Sequence, residues 1–475
     1  MLLVDISGRN ITKVTMGENG ITQRKPHLLI LPIEEQGHFA AYVDLLYHLS
    51  QFDIRVTLCS TGARCHEVAH LLSTGAFGNL DLHLKDIFST LGAGAVAKSE
   101  GHLPPLWNLI PKMGSEFKAY MPELLEKEDL NERPTILLAD MFIGWSKEVA
   151  EELNIPRYIF FTVSAWAPLS VLWRQIGNWA PDDFITIPGL SPIRIKDGIP
   201  VLLEPLINLD NAAAILCNSF EELEKGSVEA ARTHLQNHPG SSGQVAKFLP
   251  IGPAFYLPGN PPLSDGKDRV NCLEWLDSKP ESSVLYIAFG TVGKMGEGTL
   301  MEIAHGIEDS NVPFLWALRL PNGVTDASSV LPPGFFERTK DRGYVELTFA
   351  PQRRILNHPS IGGFLSHCGW NSTIESICAG VPVIAYPLHG DQPLNSRLLV
   401  ELTNTGEAIE RSSEGRIPRD GIRKSIISLM IEKGKELKEN ASRWKEAALA
   451  SQKDGGSSCS SIREFVQDIF DSAGK

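Results

Sequence analysis

Gly362-Gly-Phe-Leu-Ser-His-Cys-Gly-Trp-Asn-Ser-Thr-Ile-Glu-Ser-Ile-Cys-Ala-Gly-Val-Pro382 reads as a strand, a turn and a helix in one line. The apolar run ends at His367-Cys368, Gly369 supplies the turn, and a helix is expected to begin around Asn371-Ser372. A helix start offers unpaired backbone N–H groups and the positive end of its dipole, which together suit a phosphate. Gly369 would let the backbone come close to such a group, and His367 could add a donor. Glu375 lies one turn deeper on the same helix face, where it could accept from ribose hydroxyls. The same residues have a plainer reading, because Ser372-x-x-Glu375 is also a capping box. Spacing alone leaves the two readings level.

Outward from this stretch, short apolar runs alternate with helical patterns in both halves of the chain. Residues 284–288, 314–317, 345–349, 363–365 and 381–386 are strand-like in the second half, and 27–32, 54–58, 136–139, 158–161 and 214–217 in the first. Amphipathic stretches such as 39–49 and 146–153 lie between them. Continuous apolar strands alternating with helices indicate parallel sheets covered on both faces. Two such sets give an α/β chain of two doubly wound Rossmann-like domains facing across a cleft, with ligands outside the carboxyl ends of the strands. The expected organisation is a loose extension over 1–25, a first domain over 26–253, a Pro/Gly-rich linker over 254–269, and a second domain over 270–457. A last helix, 458–475, is expected to pack back on the first domain.

Composition excludes several function classes. Of 475 residues, 43% are hydrophobic and 21% charged, which is ordinary globular usage, and the net charge is −13 with no Lys/Arg cluster to hold nucleic acid. No run approaches the ~20 apolar residues of a membrane span. The first 25 residues have no apolar stretch of the kind a signal peptide carries. Seven cysteines without a C-x-x-C pair point to reduced thiols, a cytoplasmic location and no metal site.

Read whole, residues 349–392 resemble the signature box of plant-type secondary-product UDP-glycosyltransferases, inverting enzymes of the two-domain GT-B architecture. The matching residues are Ala350-Pro-Gln352, His358-Pro359, Gly362-Gly-Phe364, His367-Cys-Gly-Trp-Asn-Ser372, Glu375, Gly380-Val-Pro382 and Gly390-Asp-Gln392. The resemblance implies that Phe349 stacks on uracil, Ala350 meets its edge through the backbone, and Gln352 and Glu375 hold the ribose. It implies that His367, Asn371 and Ser372, beside Gly369, hold the diphosphate, and that Trp370, Asp391 and Gln392 bind the sugar. A final Gln, as at Gln392, is associated in this family with glucose. Thr291, in Ala288-Phe-Gly-Thr-Val-Gly293, resembles a hydroxyl donor beneath the phosphates. Phe349 departs from the usual Trp; a phenyl ring stacks over less area than indole, so weaker donor binding or altered nucleotide tolerance is expected.

In the first half, His38 closes Leu31-Pro-Ile-Glu-Glu-Gln-Gly-His38 at a strand end, and Asp140 closes Thr135-Ile-Leu-Leu-Ala-Asp140. An imidazole can take a proton near neutral pH, and a carboxylate can orient it. On the residues alone, one of 13 histidines can also lie near a helix start by chance, and Asp140 can serve as an N-cap. Both positions match the family's base and orienting acid, and Thr162 matches a position that touches the sugar's 6-hydroxyl. The resemblance thus implies a monomer that glucosylates a small phenolic, flavonoid-like acceptor from UDP-glucose without a further cofactor, by O-transfer or C-transfer. Alternatives of the same fold are a nucleotide-sugar epimerase or phosphorylase, or a non-catalytic binder of UDP-sugars or phenolics. The acceptor pocket is expected mostly from the first domain, at residues 84–91, 103–107, 142–145, Trp166 and 184–187. Gly92-Ala-Gly-Ala-Val-Ala97 fits a dinucleotide fingerprint as text, but no strand and helix flank it, so a surface loop is expected.

Overall fold

The computed structural model describes residues 24–89, 105–127, 129, 132–177, 180, 182–195, 206–254, 271–290, 295–321, 323–348, 350–410 and 417–474. The expected extension over residues 1–23, the fingerprint look-alike at 92–97 and nearly all of the expected linker lie outside the described residues. The chain divides into two compact units. The first comprises Met1–Asn178, Val201–Leu257 and Ala450–Lys475, and the second Trp179–Pro200 and Pro258–Leu449.

The strands of the first unit begin with His27–Leu31 (β1), Arg55–Ser60 (β2), Asp81–Asp86 (β3), Ile136–Asp140 (β4) and Arg157–Phe161 (β5). A short antiparallel hairpin of Phe184–Ile185 (β6) and Ile193–Arg194 (β7) follows in sequence, then Ala214–Cys217 (β8) and Lys247–Pro250 (β9). The first sheet runs β3-β2-β1-β4-β5-β8-β9, all parallel. Residues of β1 and β4 are buried throughout, so alternating faces of one apolar strand each meet a helical layer. Leu29, Leu31, Leu137, Ala139, Ile159 and Phe161 share one core with Phe117 and Leu169 from the helices. Chain order leaves β1 for β2 on one side and returns to β4 on the other. The carboxyl ends of β1 and β4 therefore flank the topological switch point of this sheet, where such folds bind ligands.

The second unit repeats the plan with Val284–Ala288 (β10), Phe314–Ala317 (β11), Gly343–Glu346 (β12), Ile361–Ser366 (β13), Val383–Ala385 (β14) and Gly406–Ala408 (β15). Its parallel order is β12-β11-β10-β13-β14-β15, which places the switch between β10 and β13. The strand expected over 345–349 is shifted toward the N-terminus. The Glu346 carboxylate accepts from both the backbone N–H (2.9 Å) and the hydroxyl (2.6 Å) of Thr348, which turns the chain out of the sheet.

Two segments depart from the expected boundaries. Residues 179–200 group with the second unit rather than with 26–253. The Ser191 N–H and hydroxyl both donate to Glu401 at 2.8 Å, tying this excursion to its own unit. The return to the first unit begins at Ala450, before the helix Ser457–Ala473. That helix buries Ile462, Phe465 and Ile469, and its Asp468 accepts from the Tyr158 hydroxyl at 2.8 Å. Among the described residues no helix is long and apolar enough to cross a membrane.

Candidate functional site

In the first unit, the β1 strand is followed by a short turn and the helix Gln36–Leu49, whose N-cap is Glu35. Glu35 Oε2 accepts from the N–H groups of Gly37 (2.7 Å) and His38 (3.0 Å), satisfying two donors that a helix start otherwise leaves unpaired. This fixes the backbone of the residue whose side chain matters here. His38 Nδ1 lies 2.8 Å from Asp140 Oδ2. Asp140 is the last residue of β4, its side chain fully buried, and its Oδ1 accepts from Phe142 N at 3.1 Å. Phe142 in turn lies against the imidazole, with ring centroids 5.4 Å apart. The expected pair thus meets at the switch point, across 102 residues of sequence. Asp140 caps no helix: the next one, Ser146–Leu153, begins after Trp145.

A carboxylate at Nδ1 holds the imidazole in the tautomer that carries its proton there, which makes Nε2 the accepting nitrogen. The burial of Asp140 keeps that interaction in a low-dielectric setting, where charge-assisted hydrogen bonds are strong. Thr162, just past β5, is buried, and its hydroxyl has no hydrogen-bond partner among the described residues.

In the second unit, β13 leads through His367, Cys368 and Gly369 into the helix Trp370–Ala379. Gly369 is its N-cap, so the helix starts a residue before the position expected from sequence. Ser372 then lies inside the first turn and is no cap. Glu375 is engaged by the neighbouring helix instead. Its Oε2 accepts from Gln352 Nε2 at 2.7 Å and its Oε1 from Arg353 Nε at 2.8 Å. Gln352 also donates to Ser372 Oγ at 3.0 Å, while the Tyr286 hydroxyl reaches Gln352 Oε1 at 3.4 Å. The capping-box reading is therefore displaced by a network between two helices and β10.

The His367 ring is confined by glycine on two sides. A Cβ at Gly290 (φ +73°) or at Gly369 would stand 2.5 Å from His367 Nε2, so neither position admits a side chain. Burial, with neighbouring His389 adding to it, pushes the imidazole down to about 4. His367 is accordingly neutral at pH 7: it can exchange a hydrogen bond with an anion but brings no full charge. Its Nδ1 has no well-aligned hydrogen-bond partner among the described residues, although the Ala288 backbone lies close enough to the ring to favour its charged form. Trp370, at the helix start, is buried and Asn371 partly exposed.

The sugar-binding candidates are held by loop and helix-start contacts. Gln392 Oε1 accepts from the N–H groups of Leu388 (2.8 Å) and His389 (3.0 Å), which fixes the amide and aims its N–H groups elsewhere. Asp391 Oδ2 accepts from Asn395 Nδ2 at 2.8 Å, and that same nitrogen donates to the Cys368 carbonyl at 3.0 Å. Fully buried Asn395 thus links the turn before the helix Trp370–Ala379 to Asp391. Sequence reasoning missed Asn395, Arg353, Tyr286 and Glu35. A basic residue directly after Gln352 was the one available signal among them. Ala350 is described only as a partly buried residue of the connecting loop, whereas Phe349 and Thr291 lie outside the described residues.

Of the expected acceptor segments, 142–145 packs near His38: Trp145 Nε1 donates to the Ile110 carbonyl at 2.9 Å, and its ring lies against Phe117. Trp166 is core, and Phe184–Ile185 belongs to the second unit rather than the first. Residues 90–91 and 103–104 are not among those described. No group of three or more His, Cys, Asp or Glu suited to a metal ion occurs among the described residues.

Comparison with known proteins identifies the family. The family described as UDP-glucoronosyl and UDP-glucosyl transferase matches residues 266–443. The chain is 30% identical to the anthocyanidin 5,3-O-glucosyltransferase of a Rosa hybrid cultivar, covering 93% of this chain and 98% of that one. It is 34% identical to the gallate 1-beta-glucosyltransferase of Quercus robur over 76% of this chain and 73% of that one. Among solved structures, Phytolacca americana UGT2 complexed with UDP-2fluoro-glucose and pterostilbene superposes with a TM-score of 0.76 at 27% identity, covering 94% and 99% of the two chains. Two doubly wound sheets, the helix-start loop after β13 and these relatives together make the chain a plant-type member of the UDP-glucoronosyl and UDP-glucosyl transferase family, an enzyme of GT-B fold whose donor is a UDP-sugar.

Proposed function

We propose that the enzyme transfers glucose from UDP-glucose, with inversion, to a phenolic oxygen of a small aromatic acceptor. The observation that carries the reading is the 2.8 Å hydrogen bond between His38 and buried Asp140 at the switch point of the first sheet. His38 Nε2 takes the phenolic proton; a phenol with a pKa near about 10 is within reach of a positioned imidazole. The phenolate attacks the anomeric carbon, the new C–O bond forms as the bond to the β-phosphate oxygen breaks, and UDP leaves with that electron pair. The proton held by His38, its charge balanced by Asp140, is then lost to solvent.

Donor binding follows the residues of the second unit. Phe349 and the Ala350 backbone would hold uracil, and Gln352 with Glu375 the ribose. The N–H groups at the start of helix Trp370–Ala379, with Asn371, Ser372, Thr291 and His367, would hold the diphosphate and stabilise charge arriving on it. Trp370, Asp391 and the fixed amide of Gln392 would read the sugar hydroxyls. Among the acceptors named for relatives and neighbours, the anthocyanidin and the bound pterostilbene carry phenolic hydroxyls and support the acceptor class, whereas 7-deoxyloganetin is not a phenol.

The test is product analysis. Incubation with UDP-glucose and a panel of simple phenols should yield an O-linked glucoside whose anomeric proton shows the large coupling of a β-linkage. An α-linked product, a carbon-linked one, or turnover of UDP-glucose with no acceptor consumed would refute the reading.

A further inference from the structure

In most recognition of a hydroxyl by a buried polar site, the site is left with an unpaired group when the hydroxyl is missing, and the analogue is rejected by about 10⁴–10⁵-fold. The ribose end of this donor site is built differently. Each side-chain atom that would face ribose already has a partner from the chain itself. Both N–H groups of the Gln352 amide are committed, to Ser372 Oγ (3.0 Å) and Glu375 Oε2 (2.7 Å). Gln352 Oε1 faces the Tyr286 hydroxyl. Glu375 Oε1, the remaining carboxylate oxygen, takes the Arg353 N–H at 2.8 Å, and both side chains of that ion pair are largely buried, with 18% and 10% exposure.

A carboxylate has about four acceptor positions, so a ribose hydroxyl can still donate to Glu375. What changes is the cost of its absence. Arg353 supplies the positive charge and Gln352 the second donor, so a missing 2′-hydroxyl strands no buried charge. We propose that this enzyme accepts 2′-deoxyribonucleoside diphosphate sugars as donors, because Arg353 and Gln352 satisfy the Glu375 carboxylate independently of the ribose 2′-hydroxyl. This rests on the reading that Gln352 and Glu375 hold the ribose. Arg353 is a specificity-determining residue in this sense: it acts on discrimination between donors and takes no part in the transfer step.

The experiment is titration calorimetry of the intact enzyme with UDP and with 2′-deoxy-UDP, which differ at one hydroxyl and need no acceptor. The wild-type ratio of the two dissociation constants should stay below about 30-fold, against the far larger rejection typical of a dependent site. In Arg353→Leu, UDP binding should survive while the ratio rises at least about tenfold, since Glu375 then relies on the ligand. A wild-type ratio above about 30-fold overturns the proposal whether or not the variant folds, and so does a folded variant with an unchanged ratio. Failure of the wild type to bind either nucleotide would remove the ribose reading first, and this inference with it. UDP binding accompanied by strong rejection of the deoxy form would remove the inference alone.

Discussion

Replacing Asp140 by Asn alters the site by one atom and one charge at nearly constant volume. The carboxylate accepts twice, from His38 Nδ1 at 2.8 Å and from Phe142 N at 3.1 Å, in a fully buried position. An amide cannot do both. If its oxygen stays on Phe142 N–H, its NH₂ faces His38 Nδ1 and donates, which moves the imidazole proton to Nε2, the nitrogen that must accept. If the amide flips, the tautomer is preserved but two donors meet at Phe142, and an unsatisfied buried donor costs about 1–3 kcal/mol. Either arrangement also forfeits the charge assistance, itself about 1.5–3 kcal/mol. At about 1.36 kcal/mol per decade, the charge alone is worth roughly 10–150-fold, and the wrong tautomer extends the loss toward the whole value of a general base, about 10²–10⁴-fold. Steady-state glucosylation of a phenol should therefore show kcat reduced by about 10²–10⁴, with UDP affinity from calorimetry unchanged because the donor residues belong to the other unit. A folded Asp140→Asn enzyme with kcat within about threefold of wild type would refute the tautomer argument.

Stability should fall on mild acidification. Burial pushes His27, His48 and His367 down to about 4 each, against about 6.5 when unfolded. Between those values the unfolded chain binds protons that the folded one refuses, so stability is complete above about pH 6.5 and declines toward pH 4, by up to roughly 3 kcal/mol per ring. His48 donates from Nε2 to the Ala254 carbonyl at 2.6 Å, and His48→Gln can keep a donor without the titration. Urea melts from pH 7 to 4.5 should show a shallower decline for the variant, and an identical slope would exclude His48 as a contributor. Gln392→His should lower kcat/KM for UDP-glucose at least about tenfold relative to UDP-galactose. One imidazole nitrogen cannot accept from both Leu388 and His389 as the amide oxygen does. An unaltered donor ratio would remove the basis for naming glucose.

The legible part of the fold was its buried parallel core. Strands such as β1, β4, β10 and β13 are covered on both faces and read as unbroken apolar runs. Of the edge strands, β12 was read with a shifted boundary, and β3, β9 and β15 were not read. In β3, Asp81, His83 and Lys85 alternate with the two leucines on a half-exposed sheet margin, and β15 is only Gly-Glu-Ala, paired because Val383–Ala385 already sets its register. At the site, the helix-start loop after β13 could be read because turn, glycine and helix follow one another in sequence. The His38–Asp140 contact joins the first turn of the helix Gln36–Leu49 to the end of β4, far apart in the chain, and only the family pattern linked them beforehand. Contacts between elements distant in sequence, such as Arg353 with Glu375 or Asn395 with the Cys368 carbonyl, leave no periodicity to read. They are set by packing, not by local propensity.

The most direct measurement is UDP release from UDP-glucose by purified enzyme over a panel of phenols, in the presence of chelator, for wild type and His38→Ala. Release that requires the acceptor in the wild type and falls by about 10²–10⁴-fold in the variant, with UDP binding retained, is the expected result for a positioned base. Equal release with and without acceptor, or a His38→Ala enzyme as active as wild type, would contradict transfer through the His38–Asp140 pair.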